Sequence, residues 1–125
     1  MRRFGEILAE LRQEKNLPQK TLGELLYVST PMISNYENSA HYPDAEKLVK
    51  LADYFDVSVD YLLGRSTSRL PLNTLEKKFT DDETVGSVLE NMQKLSPERK
   101  KALNTIIDDM ALASIVNQSG GNRDK

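Results

Sequence analysis

The sequence predicts an all-α chain in two parts, a five-helix domain over residues 1–65 and a helical hairpin over residues 80–117. Three observations predict it. Apolar residues recur at helical spacing along most of the chain, and the breaks between these stripes carry residues that start and stop helices. The stretch "RSTSRLPLNT", residues 65–74, has no period and is rich in small polar residues, which marks a linker. The linker is placed at 66–79, and a disordered tail at 118–125.

Phe4, Ile7, Leu8 and Leu11 define the first helix, with Glu6, Glu10, Arg12 and Gln13 on its other faces, and it runs to about Lys15. Asn16 ends it. Asn tolerates the left-handed conformation that follows a helix, and Pro18 suits the first turn of the next. Leu22, Leu25 and Leu26 mark a second, short helix. Ser29 is a good N-cap and Pro31 falls within the first turn, where a missing amide costs no hydrogen bond, so "STPMISNYE" is helical despite its polarity. Ile33 and Tyr36 then face inward, and Thr30, Pro31, Ser34 and Asn35 point out. "NSAHYP", residues 38–43, is a loop. Asp44 caps a fourth helix carrying Leu48, Leu51, Ala52 and Phe55, and Ser58 caps a fifth, "SVDYLLG", which Gly64 ends.

Beyond the linker, Thr80 and Glu83 have capping-box spacing, and Val85, Val88, Leu89, Met92 and Leu95 form one stripe. Ser96 caps the next helix. Pro97 takes its first position, and Leu103, Ile106, Ile107 and Met110 form a second stripe, with Ala113 and Val116 at the same spacing. Helices of roughly 15 and 20 residues cannot bury both stripes against each other alone, since a core of under about 40 residues is usually insufficient. A partner surface is expected. Self-association through Val85, Val88, Leu89, Met92, Leu103, Ile106, Ile107 and Met110 is favoured over packing back onto the first domain.

Composition narrows the function. With no Cys and one His, disulfides, thiolate metal sites and thiol nucleophiles are excluded, and neither a cofactor nor a metal is expected. The densest carboxylates, "DDE" at 81–83 and Asp108 with Asp109, read as a charged helix start and a solvated face, so no enzyme is expected. The amino end mixes charges into its apolar residues, and no apolar run nears the ~20 residues that span a bilayer. Hence no signal peptide and no membrane partner are expected, and the expected location is cytoplasmic. The net charge of -2 counts against a nucleic-acid partner, and neither part of the chain is basic. Any DNA-binding face must come from the placement of charge.

Two short helices joined by "LYVS" and followed by a loop have the shape of a helix-turn-helix, whose second helix enters a major groove. Such a motif needs apolar residues where the helices cross, a small residue where their backbones approach, and short polar side chains that reach base edges. Leu22, Leu26, Val28, Ile33 and Tyr36 supply the first, Gly23 the second, and Thr30, Ser34 and Asn35 the third. At these residues the sequence resembles the lambda-repressor-like, Cro-type (XRE) helix-turn-helix family. "PQKTLGELLYVSTPMISNYENS" is similar to that family's motif, and "YPDAEKLVKLADYFDVSVDYLLG" resembles the two helices completing its five-helix domain. The resemblance covers about residues 3–64, half the chain. The two-part layout resembles that of SinR-like regulators and of prophage or mobile-element immunity repressors.

The resemblance implies a DNA-binding transcriptional regulator, a repressor that acts as a homodimer or higher homo-oligomer on an inverted repeat in double-stranded DNA. It also implies that Gln19 holds a phosphate, that Thr30, Pro31, Ser34 and Asn35 lie against bases or sugar-phosphate, and that Arg12 bridges Glu37. Ser29 belongs to the same surface. Lys20 adds a phosphate contact, and Asn38, the 38–41 loop, His41 and Tyr42 are further phosphate candidates.

Three departures from the family's pattern bear on that surface. Tyr27 stands where the tight turn commonly has Gly, and a non-Gly residue in the left-handed region costs roughly 1 kcal/mol or more, so a relaxed or widened turn is expected. Ser39 replaces a usual Gly, and Ala40 and His41 replace commonly basic residues, which weakens the loop's hold on phosphate. Thr30 and Pro31 offer few hydrogen bonds, which shifts readout towards Asn35, Ser34 and DNA shape. The rival reading is a protein-interaction module, antitoxin-like or antirepressor-binding, that uses the same helical surface. A protein antagonist is a further partner on either reading.

Overall fold

Seven α-helices and one 3-10 turn make up the regular structure in the computed structural model, which describes residues 2–121, with side chains over 2–117. The chain divides into two compact units, Met1–Thr74 and Leu75–Lys125. The first contains α1 (Phe4–Glu14), α2 (Gln19–Leu26), α3 (Thr30–Glu37), α4 (Ala45–Phe55) and α5 (Val59–Leu62). Each of these helices sends one fully buried side chain to the centre: Leu8, Leu22, Ile33, Leu51 and Leu62. Burying a side chain of this size stabilises by roughly 1.5–3 kcal/mol, so five short helices that would not persist alone hold one another.

The helix ends follow the local chemistry of the sequence. Ser29, Asp44 and Ser58 accept from the backbone N–H of Met32, Lys47 and Tyr61 at 3.2, 2.9 and 2.9 Å. Pro18 departs from expectation by standing at the N-cap of α2 itself, with φ -68° and ψ 153°, rather than inside its first turn. Asn16, Tyr27, Ser39 and Asp56 all adopt left-handed backbone, at φ 54°, 55°, 57° and 53°. Asn and Asp do so readily. Tyr27 does not, and the relaxed turn expected there is corrected by the structure. The Val28 N–H donates to the Gly23 carbonyl at 2.9 Å, the closure of a tight helix end. Leu26 is buried and Val28 packs on the core just beyond it, so the flanking residues fix the turn while the Tyr27 ring stays 89% exposed and needs no room. A Cβ on Gly23 would stand 2.8 Å from the Val28 carbonyl oxygen, so this close approach requires glycine.

A second close approach seats α1. A Cβ on Gly5 would lie 2.2 Å from the Glu37 carbonyl oxygen, and the Gly5 N–H donates to Ser39 Oγ at 3.2 Å. The first turn of α1 is thereby pressed onto the end of α3. The start of the expected linker also belongs to this unit. Arg69 donates to both carboxylate oxygens of Glu14 at 2.7 and 2.8 Å and to the Tyr61 hydroxyl at 3.1 Å, while its carbonyl accepts from Ser58 N–H at 3.2 Å. The hydrogen bond from Arg69 holds the Glu14 carboxyl below its ordinary pKa. A depressed carboxylate contributes while ionised and loses that contribution as pH falls through its folded pKa, so the latch is set at neutral pH and loosens in acid.

In the second unit, the Phe79 and Thr80 N–H groups donate to the Glu83 carbonyl at 2.8 and 3.1 Å, and Lys78 pairs with Thr84 in an isolated antiparallel bridge. This turn corrects the expected helix start at Thr80 and Glu83. Glu83 closes the turn and lies outside the helix, and Thr84 caps α6 (Val85–Gln93) by exchanging bonds with Ser87. Ser96 Oγ accepts from Arg99 N–H at 3.3 Å and opens α7 (Pro97–Gly121). The two helices hold 9 and 25 residues, more unequal than expected. Because α7 runs to Gly121, helix also replaces the first part of the tail placed at 118–125; residues 122–125 lie outside those described. None of residues 75–117 is buried. No described helix is long and apolar enough to cross a membrane.

Two outcomes follow from these contacts. Gly5→Ala should lower stability in urea unfolding by about 1–3 kcal/mol, because its methyl must displace backbone rather than a flexible side chain; an unchanged midpoint would contradict the seating of α1 on α3. Arg69→Ala should raise amide hydrogen exchange at Ser58 and across residues 66–69 while leaving the core amides protected.

Candidate nucleic-acid interface

The eight residues of α3 carry the surface that the sequence singled out. Ile33 and Tyr36 are buried and Met32 packs against the edge of the core. Their burial turns the rest of the helix outward. Ser29, Thr30 and Pro31 are exposed, and Ser34 and Asn35 are half-buried. The Asn35 carbonyl is used by the fold, since it accepts from the Ala40 and His41 N–H groups at 2.9 and 3.3 Å. Its side-chain amide makes no hydrogen bond among the described residues, so both its donor and its acceptor are available. Asn38 Nδ2 donates weakly to Ser34 Oγ at 3.4 Å, a bond that an external partner could replace.

The end of α3 is fixed by a polar cluster. Arg12 Nε donates to Glu37 Oε1, and its Nη2 donates to Oε2 at 3.3 Å. The Arg12 Nη1 donates to the Leu17 carbonyl at 2.6 Å, and Gln19 Nε2 donates to Glu37 Oε2 at 2.7 Å. The Glu37 side chain is only 8% exposed, so this is a nearly buried carboxylate with three donors rather than a surface pair. The side-chain amide of Gln19, expected to hold a phosphate, gives one of its two N–H groups to Glu37. The start of α2 also offers backbone donors. No acceptor among the described residues engages the Gln19 and Lys20 N–H groups, and the exposed Lys20 ammonium carries no ion pair among them. Free amides and a cation at a helix N-terminus suit an anion.

The loop after α3 brings together the remaining candidates. Asn38, Ala40, His41 and Tyr42 are exposed, and the Tyr42 ring stands 5.7 Å from that of Phe4. Further on, Lys47 is held by Asp44 at 2.8 Å and Lys50 lies 4.8 Å from the Tyr27 ring. Sequence reasoning missed Gly5 and Ser39 Oγ, which join α1 to this loop. The one available signal was a glycine in a helix's first turns, where it costs roughly 1 kcal/mol against Ala and so calls for a packing reason.

The helix-turn-helix family model matches residues 8–62. The transcriptional regulator ImmR of Bacillus subtilis is 34% identical over 95 residues, covering 76% of this chain and 69% of its own. The chain belongs to the Cro-type (XRE) helix-turn-helix family of transcriptional regulators. The cryptic phage CTXphi transcriptional repressor RstR of Vibrio cholerae is 26% identical over 110 residues, covering 88% of each chain. Among solved structures, the P22 c2 repressor in complex with a synthetic operator is 32% identical with a TM-score of 0.50, covering 53% of this chain and 100% of that one. Within the matched residues, α2 and α3 are two short helices joined by a tight turn, the shape of a helix-turn-helix. The proteins compared are a transcriptional regulator, a transcriptional repressor and a repressor solved on its operator.

The cluster at the end of α3 has a measurable weight. Glu37→Ala leaves Arg12 without its counter-charge, and breaking a nearly buried pair from one side costs about 3 kcal/mol. Urea unfolding should show that loss, and a cost under about 0.5 kcal/mol, typical of an exposed pair, would contradict the burial.

Proposed function

We propose that this chain is a repressor that binds an inverted-repeat operator as a dimer, with α3 in the major groove and the second unit as the self-association element. The observation that carries the reading is the outward face of α3, where Asn35 keeps an unengaged side-chain amide beside Ser34, Thr30 and Pro31. An Asn amide pairs with adenine N6 and N7, and short hydroxyls reach either kind of base edge. Lys20 and the free amides of α2 take a phosphate on one side, and Asn38, His41 and Tyr42 approach the backbone on the other. Ser29 caps the helix and lies at the same surface. That RstR and P22 c2 are repressors supports the direction of the effect.

The second unit supports the dimer. Leu89, Ile106, Ile107 and Met110 are between 41% and 67% exposed, and Val85, Val88, Met92 and Leu103 are only partly covered. Leu89, Met92, Leu103 and Ile107 line an open apolar groove between α6 and α7. A second copy offers the same stripe, and an isologous interface buries both at once. Dimerisation also answers the charge balance. One faintly acidic domain makes few phosphate contacts, whereas two linked domains gain affinity through effective concentration, with recognition helices ~34 Å apart on one face of the duplex. Such a regulator works where the DNA is, in the cytoplasm, and its hairpin or α3 surface is where a protein antagonist would act.

Two measurements test this function. Asn35→Ala should weaken operator binding by ~1–3 kcal/mol and relax one base position when single-substitution duplexes are titrated; an unchanged preference removes Asn35 from the readout. Light scattering should give a dimer for the native chain and a monomer for Leu103→Glu/Ile107→Glu, whose first unit stays folded. A double variant that remains dimeric would move the interface elsewhere.

A further inference from the structure

The DNA-binding surface lacks charge where the chain after the recognition helix should meet the backbone, since Ser39, Ala40 and His41 bring no permanent cation. We infer that Arg3, at the start of α1, supplies that missing phosphate contact; the inference rests on the DNA-binding reading above. The argument begins with the backbone. Gly5 lies so close to the end of α3 that a Cβ there would meet the Glu37 carbonyl oxygen at 2.2 Å and Ser39 Oγ at 2.7 Å, and its N–H donates to that same Ser39 Oγ. One residue earlier, Phe4 places its ring against that of the exposed Tyr42, with centroids 5.7 Å apart. The residues after α3 are therefore held at both ends by two consecutive residues of α1. Arg3 immediately precedes them, so the fold carries its backbone to the edge of the loop whose phosphate contacts are in question.

The side chain of Arg3 is free to act there. It is exposed, and it stands at the N-cap of α1 in extended backbone, φ -82° and ψ 148°, without a side-chain capping bond. It makes no ion pair among the described residues, whereas its neighbour Arg2 is drawn back onto Glu10 and Arg12 is consumed by Glu37. Among the three arginines in and just before α1, Arg3 alone keeps its guanidinium unengaged in the described residues. A guanidinium forks onto a phosphate through two parallel N–H groups and stays charged at any physiological pH. Placed beside the Asn38–Tyr42 loop, it makes α1 part of the interface rather than only its support. The acidic net charge of the chain is then compatible with binding, because the contact depends on one positioned cation and not on a basic field.

The test uses the full chain and a labelled mixed-sequence duplex of about 30 base pairs, for which affinity is carried by the phosphates and no operator needs to be known. The slope of log affinity against log salt is measured for the native chain, Arg3→Ala, Arg3→Lys and Arg2→Ala. The slope should fall by about 0.9 for each Arg3 that engages a phosphate, Arg3→Lys should restore most of it, and Arg2→Ala should leave it nearly unchanged. Equal losses in Arg2→Ala and Arg3→Ala would overturn the assignment, because they would report net charge alone. An unchanged slope in Arg3→Ala, with the native chain still bound, would overturn it as well. A native chain without affinity for any duplex would instead sink the DNA-binding reading itself.

Discussion

Glu37 is the residue on which the placement of α3 depends. Its carboxylate, nearly buried at the end of α3, gathers Arg12 from α1 and Gln19 from α2, and Arg12 reaches on to the Leu17 carbonyl between those helices. A charge in such a place is costly unless fully paired, so the three helices must meet in one arrangement or leave a donor or an acceptor unsatisfied. That constraint matters because α3 has only eight residues and a mostly polar surface. A helix this short has little stability of its own. Its orientation is set by Ile33 and Tyr36 beneath it and by the Glu37 cluster at its end.

The backbone bears the cost of this compactness at a few positions. Tyr27 and Ser39 hold left-handed conformations that glycine would adopt without strain, on either side of α3. Each is fixed by its neighbours: Tyr27 by buried Leu26 and core-packed Val28, and Ser39 by the Gly5 N–H on its hydroxyl. Ser39 also gains something glycine could not give, since its Oγ ties the loop to α1. Local strain is thus spent on fixing the two ends of α3.

The five helices of the first unit were legible because their signals are local. Stripes such as Phe4, Ile7, Leu8 and Leu11, and caps such as Ser29, Asp44 and Ser58, lie within one or two turns of the chain they organise. Contacts that join distant residues left no such trace. The Gly5 approach to Glu37, the Gln19 bond to Glu37 and the Arg69 latch on Glu14 span 32, 18 and 55 residues, and single residues of ordinary type carry all three. Around Thr80 the local signal itself was ambiguous. Thr80 with Glu83 and Thr84 with Ser87 offer the same spacing, and the backbone turn closed by Glu83 decided for the second. At the candidate site, the outward residues of α3 followed from the burial of Ile33 and Tyr36. The roles of Gln19 and Gly5 could be seen only once three helices were in contact.

The central claim, that two copies of this recognition helix read a symmetric site, is tested most directly by enriching bound sequences from a random duplex library with the full chain near physiological salt. The account predicts an inverted repeat whose half-sites are centred about one helical turn, ~34 Å, apart. Failure to enrich any sequence, with the protein shown to be folded, would contradict it and favour a surface that binds protein instead.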